Sequence, residues 1–262
     1  MARAANPSTS VSSSPSAYDD RVRWLVVCAL LLGGCRQLLG IDDPSVMGAG
    51  DGGPGDGSAG GHDEDTDGIA DGADNCPSVP NNQQAASDGL LGEACDPRPT
   101  TAGDKIAMFV PFYPMGPVAG LQVDSSAVFE IDHLRMAGQQ LQTMTDFLPT
   151  RISVGVRFLT FLPPNAVLSV ELGQHRCTIE GCSGSGTFCL VARTASVTSE
   201  TDIVFTASGT LEMDQSFGEI VCRFGAVESK AVITAPLANK IKVRTVSSTV
   251  QIEALTIYDA GT

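Results

Sequence analysis

Between Arg36 and Arg98 the chain carries thirteen acidic residues and no Lys or Arg. Such a stretch resists ordinary packing. Like charges at contact cost about 1 kcal/mol per pair even in water, and more when partly buried. Few apolar residues are present to offset that repulsion, so compaction needs a cation. The acids are also ordered. Asp63, Asp65, Asp67, Asp71 and Asp74 fall at offsets 0, 2, 4, 8 and 11, with Gly68 at offset 5. In a loop of this spacing alternate side chains converge on one ion, the glycine permits a sharp turn, and a backbone carbonyl, here that of Ile69, fills a further position. Oxygen donors in this number select Ca²⁺ over Mg²⁺, which keeps its waters, and over Zn²⁺, which wants nitrogen and sulfur. The last acid is Asp rather than Glu and no amphipathic helix flanks the loop, so an EF-hand is the wrong container.

The ladder runs on through Asp74-Asn75-Cys76-Pro77, then Pro80-Asn81, Gln84, Asp88-Gly89 and Gly92-Glu93-Ala94-Cys95-Asp96. Residues 63–97 closely resemble a thrombospondin type 3 repeat. The resemblance implies that ladder carboxylates and nearby carbonyls wrap calcium with little regular secondary structure, and that disulfides pin the turns. By this reading residues 62–98 are a calcium-binding unit. Its metal candidates are Asp63, Asp65, Asp67, Ile69, Asp71 and Asp74, with Asp88, Glu93 and Asp96 in a sparser second half. A Cys76–Cys95 bridge adds about 3 kcal/mol by restricting the unfolded chain.

The amino terminus reads as an address. Arg21 and Arg23 precede the apolar run Trp24–Leu32, which is too short for a bilayer core that needs about 20 helical residues. A basic flank, a short apolar run and small residues after it make a secretory signal. Leu32-Gly33-Gly34-Cys35 resembles the lipobox of bacterial lipoproteins. That resemblance implies lipidation of Cys35 as the first mature residue, and Arg36 in place of Asp leans towards the outer membrane. Residues 1–34 are then a signal peptide with a disordered start, and 35–61, rich in Gly, Ser and Asp, a lipid-anchored flexible linker. A formal charge of -14 excludes a chain-wide nucleic-acid footprint.

Of eight cysteines, Cys28 lies in the signal and Cys35 takes lipid. Cys76, Cys95, Cys177, Cys182, Cys189 and Cys222 remain, an even number in an exported protein, which reads as three disulfides. For the last four the spacing favours Cys189–Cys222 with Cys177–Cys182, and Cys177–Cys189 stays open. A zinc site from His175, Cys177, Cys182 and Cys189 has irregular spacing in an oxidising compartment and is set aside.

From residue 104 to 262 the pattern is all-β. Ten spans qualify as strands: 105–112, 127–136, 151–161, 166–176, 187–194, 202–213, 218–227, 230–236, 240–246 and 250–259. Ile152, Val154, Val156 and Phe158 alternate with Arg151, Ser153 and Arg157, and Leu168, Val170 and Leu172 with Ser169 and Glu171. Period-two alternation broken every 8–15 residues reads as a jelly-roll-like two-sheet sandwich. Size, strand spacing and the closing run Val250–Asp259 make it similar to the concanavalin/laminin-G-like sandwiches.

Such sandwiches include laminarinase-type glycoside hydrolases, whose catalytic strand carries Glu, Asp two residues on, and a second Glu. Glu130 and Asp132 supply the first two, read as one strand face, but Leu134 and Arg135 stand where the second Glu belongs. With no GxSxG and no histidine partnered in sequence, the expectation is a protein that is not an enzyme. Trp24 is the only tryptophan and lies in the signal, so aromatic stacking on sugar has few platforms. The chain reads as a lipid-anchored surface protein. Its calcium-ordered repeat spaces and stiffens the link to a β-sandwich adhesion module for a surface glycan or protein, the alternative being a glycoside-hydrolase-like sandwich or an inactive descendant.

Overall fold

The computed structural model describes residues 61–86, 91–113, 116–159, 165–182 and 187–260. The signal (1–34), Cys35, the linker up to residue 60, and Asp88 lie outside them. Fifteen strands and no helix occur among the described residues. In chain order they are β1 (Lys105–Val110), β2 (Leu121–Val123), β3 (Val128–Phe129), β4 (Leu134–Ala137), β5 (Gln140–Thr143), β6 (Pro149–Phe158), β7 (Val167–Leu172), β8 (His175–Gly181), β9 (Phe188–Arg193), β10 (Thr198–Ile203), β11 (Ser208–Ser216), β12 (Glu219–Phe224), β13 (Val227–Val232), β14 (Ile241–Val246) and β15 (Thr249–Asp259).

One sheet has the order β13-β12-β11-β6-β15-β4-β3, with β1 also paired to β15. The other has the order β10-β9-β8-β7-β14-β5-β2. All pairings are antiparallel. The alternation on β6 holds, with Ile152, Val154 and Val156 fully buried in the core shared by the two sheets. Leu168, Val170 and Leu172 on β7, and Ile241 and Val243 on β14, enter the same core. Side chains of this size contribute about 1.5–3 kcal/mol each on burial. The architecture is the expected all-β jelly-roll sandwich.

The strand count differs, for local reasons. The span 166–176 contains Gly173 at φ +60°, which turns β7 back onto β8, with Leu172 opposite His175. Residues 204–207 separate β10 from β11 inside the span 202–213, and 130–133 divide β3 from β4. The short strands β2 (LQV) and β5 (QLQT) carry no apolar run to reveal them.

The Cys76–Cys95 bridge is present, with Cα atoms 5.6 Å apart. The expected pairings of the other four are corrected to Cys177–Cys222 and Cys182–Cys189. Strand parity gives the reason. Cys177 on β8 and Cys222 on β12 both lie in the core between the sheets, and their bridge joins one sheet to the other. On β9 it is Leu190 and Ala192 that enter that core. Cys189, one residue off in register, faces the opposite way. It meets Cys182 across the β8–β9 hairpin, Cα to Cα 5.1 Å, beside the Cys182 N–H bond to the Thr187 carbonyl. Replacing Cys182 and Cys189 together by Ser is expected to lower stability by about 2 kcal/mol, the value for so short a loop. Urea unfolding with an unchanged m-value checks this.

The acidic repeat lies against the outer face of the first sheet and does not stand off as a spacer, which corrects that part of the sequence reading. A bulge in β15 prepares the surface. Ile252 pairs with Val156 and Leu255 with Val154, so Glu253 and Ala254 together oppose the single residue Gly155. The extra residue reverses the strand's faces. Leu255 and Ile257 go into the core, while Ala254, Thr256 and Tyr258 turn outward and are nonetheless buried. What covers them is the repeat: Cys76, Leu91, Cys95 and Tyr258 form one buried cluster with Val79 and Ile106 packed on it. The Ser78 and Thr256 hydroxyls hydrogen-bond at 3.2 Å.

Candidate functional site

Two arrangements of carboxyl groups stand out, one within the repeat and one beneath it. In the repeat, Thr66 and Gly68 take positive φ (62° and 93°) and wind the chain tightly enough for Asp63, Asp65 and Asp67 to converge. One oxygen from each lies within 4.8 Å of the others. Backbone N–H groups hold the ring of acids in place. Gly68 N–H donates to Asp63 at 2.8 Å, Asp67 N–H to Asp65 at 3.1 Å, and Ile69 N–H to Asp67 at 2.9 Å. Asp74 accepts from Cys76 N–H and from the Gln84 amide, each at 2.7 Å. Asp65 Oδ2 and Asp74 Oδ2 are buried and have no hydrogen-bond donor. Burial, with Asp67, Asp74 and Asp63 close by, pushes the Asp65 carboxyl up to about 7. Oxygen donors aimed together, two of them buried without a proton donor, fit a hard divalent cation such as Ca²⁺.

The other metal candidates are placed differently. Asp71 turns away from the ladder and accepts from His62 Nδ1 at 2.8 Å and from Glu64 N–H at 2.9 Å. Ile69 sits in the turn after Gly68. Glu93 is exposed, its N–H donating to the Ala85 carbonyl. Asp96 is buried and caps the Arg98 N–H at 2.7 Å. Asp88 lies outside the described residues.

Beneath the repeat is a cleft of about 290 Å³. Glu64, Asp65 and Val79 form one wall, and β6, β11 and β15 form the floor. The floor is low because its residues are small: Ser153, Gly155, Thr210 and Ala254. A Cβ on Gly155 would stand 3.4 Å from the Ala254 nitrogen and 3.5 Å from Glu253 Cβ, in ordinary contact with the bulge. Two carboxyls rise from this floor, Glu212 on β11 and Glu253 on β15. Burial pushes the Glu212 carboxyl above its ordinary range against the opposing pull of Arg151, 4.0 Å away. Arg151 is mostly engaged elsewhere, donating to Asp214 at 2.7 and 3.2 Å, and Arg223 pairs with the same carboxylate. Glu253 is ion-paired with Arg157 at 3.0 Å. A half-buried acid inclined to keep its proton, lining the same cleft as an ion-paired carboxylate, offers the two kinds of group that acid–base chemistry on a substrate uses. Glu212 and Glu253 were missed in the sequence. The available signal was Glu212-Met213-Asp214, two acids on one face of a strand.

Glu130 and Asp132 do not share a strand face, which corrects that expectation: both lie in the connection between β3 and β4. Hydrogen bonds from Arg135 and His133 pull the Glu130 carboxyl down to about 2, leaving a fixed ion pair. Asp132 reaches His62 of the repeat instead.

Fold and cleft together define a two-sheet jelly-roll sandwich with a carboxyl-bearing outer face. No family model and no curated protein matches the sequence. Among solved structures the chain is similar to a non-specific endo-β-1,3(4)-glucanase from family GH16, at 9% identity and a TM-score of 0.49, over 61% of this chain and 92% of that one. The laminarinase catalytic domain from Thermotoga maritima gives 7% identity and a TM-score of 0.49 over 61% and 100%. The Bacillus licheniformis β-glucanase gives 10% and 0.45 over 60% and 98%. At these identities the likeness is one of fold. The expectation that the protein is not an enzyme is corrected: the three solved structures just named, on a similar sandwich, are two glucanases and a laminarinase catalytic domain. That expectation rested on a carboxyl missing from residues 130–135, whereas the sandwich carries carboxyls on β11 and β15.

Proposed function

We propose that the protein is an exported, lipid-anchored glycoside-hydrolase-like sandwich that cleaves a surface polysaccharide, with a calcium-bound, thrombospondin type 3-like repeat forming one wall of its cleft. The signal, the Cys35 lipobox and the Gly-rich linker support export and anchoring at the outer membrane or cell surface. The Asp63–Asp74 ladder supports calcium, which would be held by Asp63, Asp65, Asp67 and Asp74 and would brace the wall without entering the reaction.

The observation that carries the reading is a cleft whose floor bears both Glu212 and Glu253. Glu212 gives its proton to the glycosidic oxygen as the bond to the anomeric carbon breaks. The Glu253 carboxylate supplies the negative charge that an oxocarbenium-like transition state needs, and water then bonds to the anomeric carbon while its proton returns to Glu212. The names of the similar structures make β-1,3(4)-glucan the first substrate to try. The calcium-loaded chain is expected to release reducing sugar from it, and Glu212→Gln to slow release about a hundredfold, as for loss of a general acid. Glu130→Gln is expected to leave the rate unchanged. Because the Glu212 pKa is raised, the protonated acid persists above the ordinary carboxylate range, and activity falls as pH rises through the shifted value. No release of sugar from a panel of β-glucans by the folded chain, or an unchanged rate in Glu212→Gln, would overturn the reading.

A further inference from the structure

The sheet that holds β14, β7, β8 and β9 has an outer face of its own. Leu168, Leu172, Cys177, Ile179, Leu190 and Ile241 enter the core, so the residues that alternate with them point outward. Register lines these up in rows. Lys242 on β14 stands opposite Glu171 on β7, Glu171 opposite Arg176 on β8, and Arg176 opposite Arg193 on β9. The next row runs Arg244, Ser169, Thr178 and Val191 across the same strands. With neighbouring strands about 4.8 Å apart, each row spans about 14 Å.

Three features of this strip favour an anion. Its cations outnumber its acids, in a chain of net charge -14. Arg193 donates to Glu180 at 3.1 Å and Arg176 stands 3.8 Å from Glu171, while among the described residues Lys242 and Arg244 have no ion pair. Arg176 and Arg193 are also directly opposed. Like charges so placed destabilise a sheet, and an anion between them reverses the sign. Finally, donors are left over. Arg193 Nε and Thr178 Oγ1 are both buried with no hydrogen-bond partner, and Thr178 is only 1% exposed. Buried polar groups ordinarily have partners, and these two lie on the same outward face, two residues or one strand from Arg176.

We propose that this strip binds an acidic polysaccharide. Arg176, Arg193, Lys242 and Arg244 take its uronate carboxylates, and Thr178 and the Glu171 carboxylate take its hydroxyls. Guanidinium groups pair with carboxylates through parallel N–H bonds, and an ionised glutamate accepts from hydroxyls. Cations interspersed with acids therefore suit a chain that alternates charge with hydroxyl groups. They suit nucleic acid poorly, since neither row carries an aromatic ring on which a base could stack. Glu200 and Asp202, outward on the edge strand β10, bound the strip on that side. The site shares no residue with the cleft of Glu212 and Glu253 and does not depend on hydrolysis.

The test titrates the full chain, kept in Ca²⁺, with hyaluronan and polyglucuronate oligosaccharides by calorimetry. Saturable binding that weakens as salt rises is expected. Methyl-esterified hyaluronan, its carboxylates neutralised, should bind at least about tenfold more weakly, the loss of one hydrogen bond to a charged group. Lys242→Gln combined with Arg244→Gln should weaken binding by a similar factor. Lys230→Gln, a charge removed from β13 of the other sheet, should leave it unchanged. Thr178→Val removes a hydroxyl that has no partner, so the unfolding midpoint should hold while binding falls about threefold. No binding to hyaluronan or to polyglucuronate, equal affinity for the ester, full affinity in the double variant or in Thr178→Val, or tighter binding of single-stranded DNA would each overturn the proposal.

Discussion

Chelating calcium from the full chain is expected to open residues 62–98 to protease while residues 104–260 stay resistant. The repeat has little else to keep it compact. Among the described residues its apolar contribution is Val79, Leu91 and the Cys76–Cys95 bridge, gathered at Tyr258. The ladder end, from Asp63 to Asp74, has backbone N–H groups, His62 and Gln84 for partners, with Asp65 Oδ2 and Asp74 Oδ2 buried without any donor. Removing a bound cation leaves those carboxylates facing one another at partly buried positions, where repulsion exceeds its value in water. Restoring Ca²⁺ to a hundredfold excess over its dissociation constant stabilises the bound form by about 2.7 kcal/mol, enough to suppress opening roughly a hundredfold. Because Cys76 and Cys95 are joined, a cut between them appears on a gel only after reduction, which locates the opening within the repeat. Calorimetry should register Ca²⁺ binding at micromolar or weaker affinity. Equal cleavage with and without chelator, together with no heat on adding Ca²⁺, would remove the calcium reading.

The parts of this molecule visible in its sequence are those encoded by short-range regularity. Alternation along Ile152–Phe158 and Leu168–Leu172 announces strands with one core face, because period two leaves few other ways to bury those side chains. The convergence of Asp63, Asp65 and Asp67 is equally legible, since alternate spacing around a tight turn brings their carboxyls together. What escaped depends on register. The order of inward and outward residues on β9 decides that Cys189 cannot meet Cys222, and that parity is fixed only when Leu190 and Ala192 are known to face the core. The bulge at Glu253-Ala254 breaks the alternation that makes β15 readable, and in doing so places Glu253 on the cleft floor and Tyr258 under the repeat. Glu212 lines the cleft because β6 lies between β11 and β15 in a sheet whose order does not follow the chain. Glu130 and Asp132 misled for the converse reason: a motif read as strand falls in a connection, where Arg135 and His133 claim the glutamate.

Tyr258→Ala is expected to destabilise the protein by about 3–5 kcal/mol, the usual cost of truncating a large buried aromatic. Tyr258 is 1% exposed, on the outer face of a sheet, a position that only a covering element can bury. Its ring is the sandwich's contribution to the cluster of Cys76, Leu91 and Cys95, and its hydroxyl is near the mutually bonded Ser78 and Thr256 hydroxyls. Truncation therefore removes packing from the sandwich edge and from the repeat together. Tyr258→Phe keeps the ring and removes only the hydroxyl, so its cost should stay near 1 kcal/mol. The difference between the two variants isolates the packing that joins the modules. Leu91→Ala approaches the same contact from the other side. If the repeat is held by this cluster, the two truncations should be non-additive by about 0.5–3 kcal/mol in a double-mutant cycle. Tyr258→Ala should also render residues 62–98 protease-sensitive even in saturating Ca²⁺, because a bound ion would order the ladder without binding it to the sheet. A loss under about 1 kcal/mol for Tyr258→Ala, with strict additivity to Leu91→Ala, would mean that the repeat rests on the sandwich without being fastened to it. The cleft of Glu212 and Glu253 would then have no fixed wall.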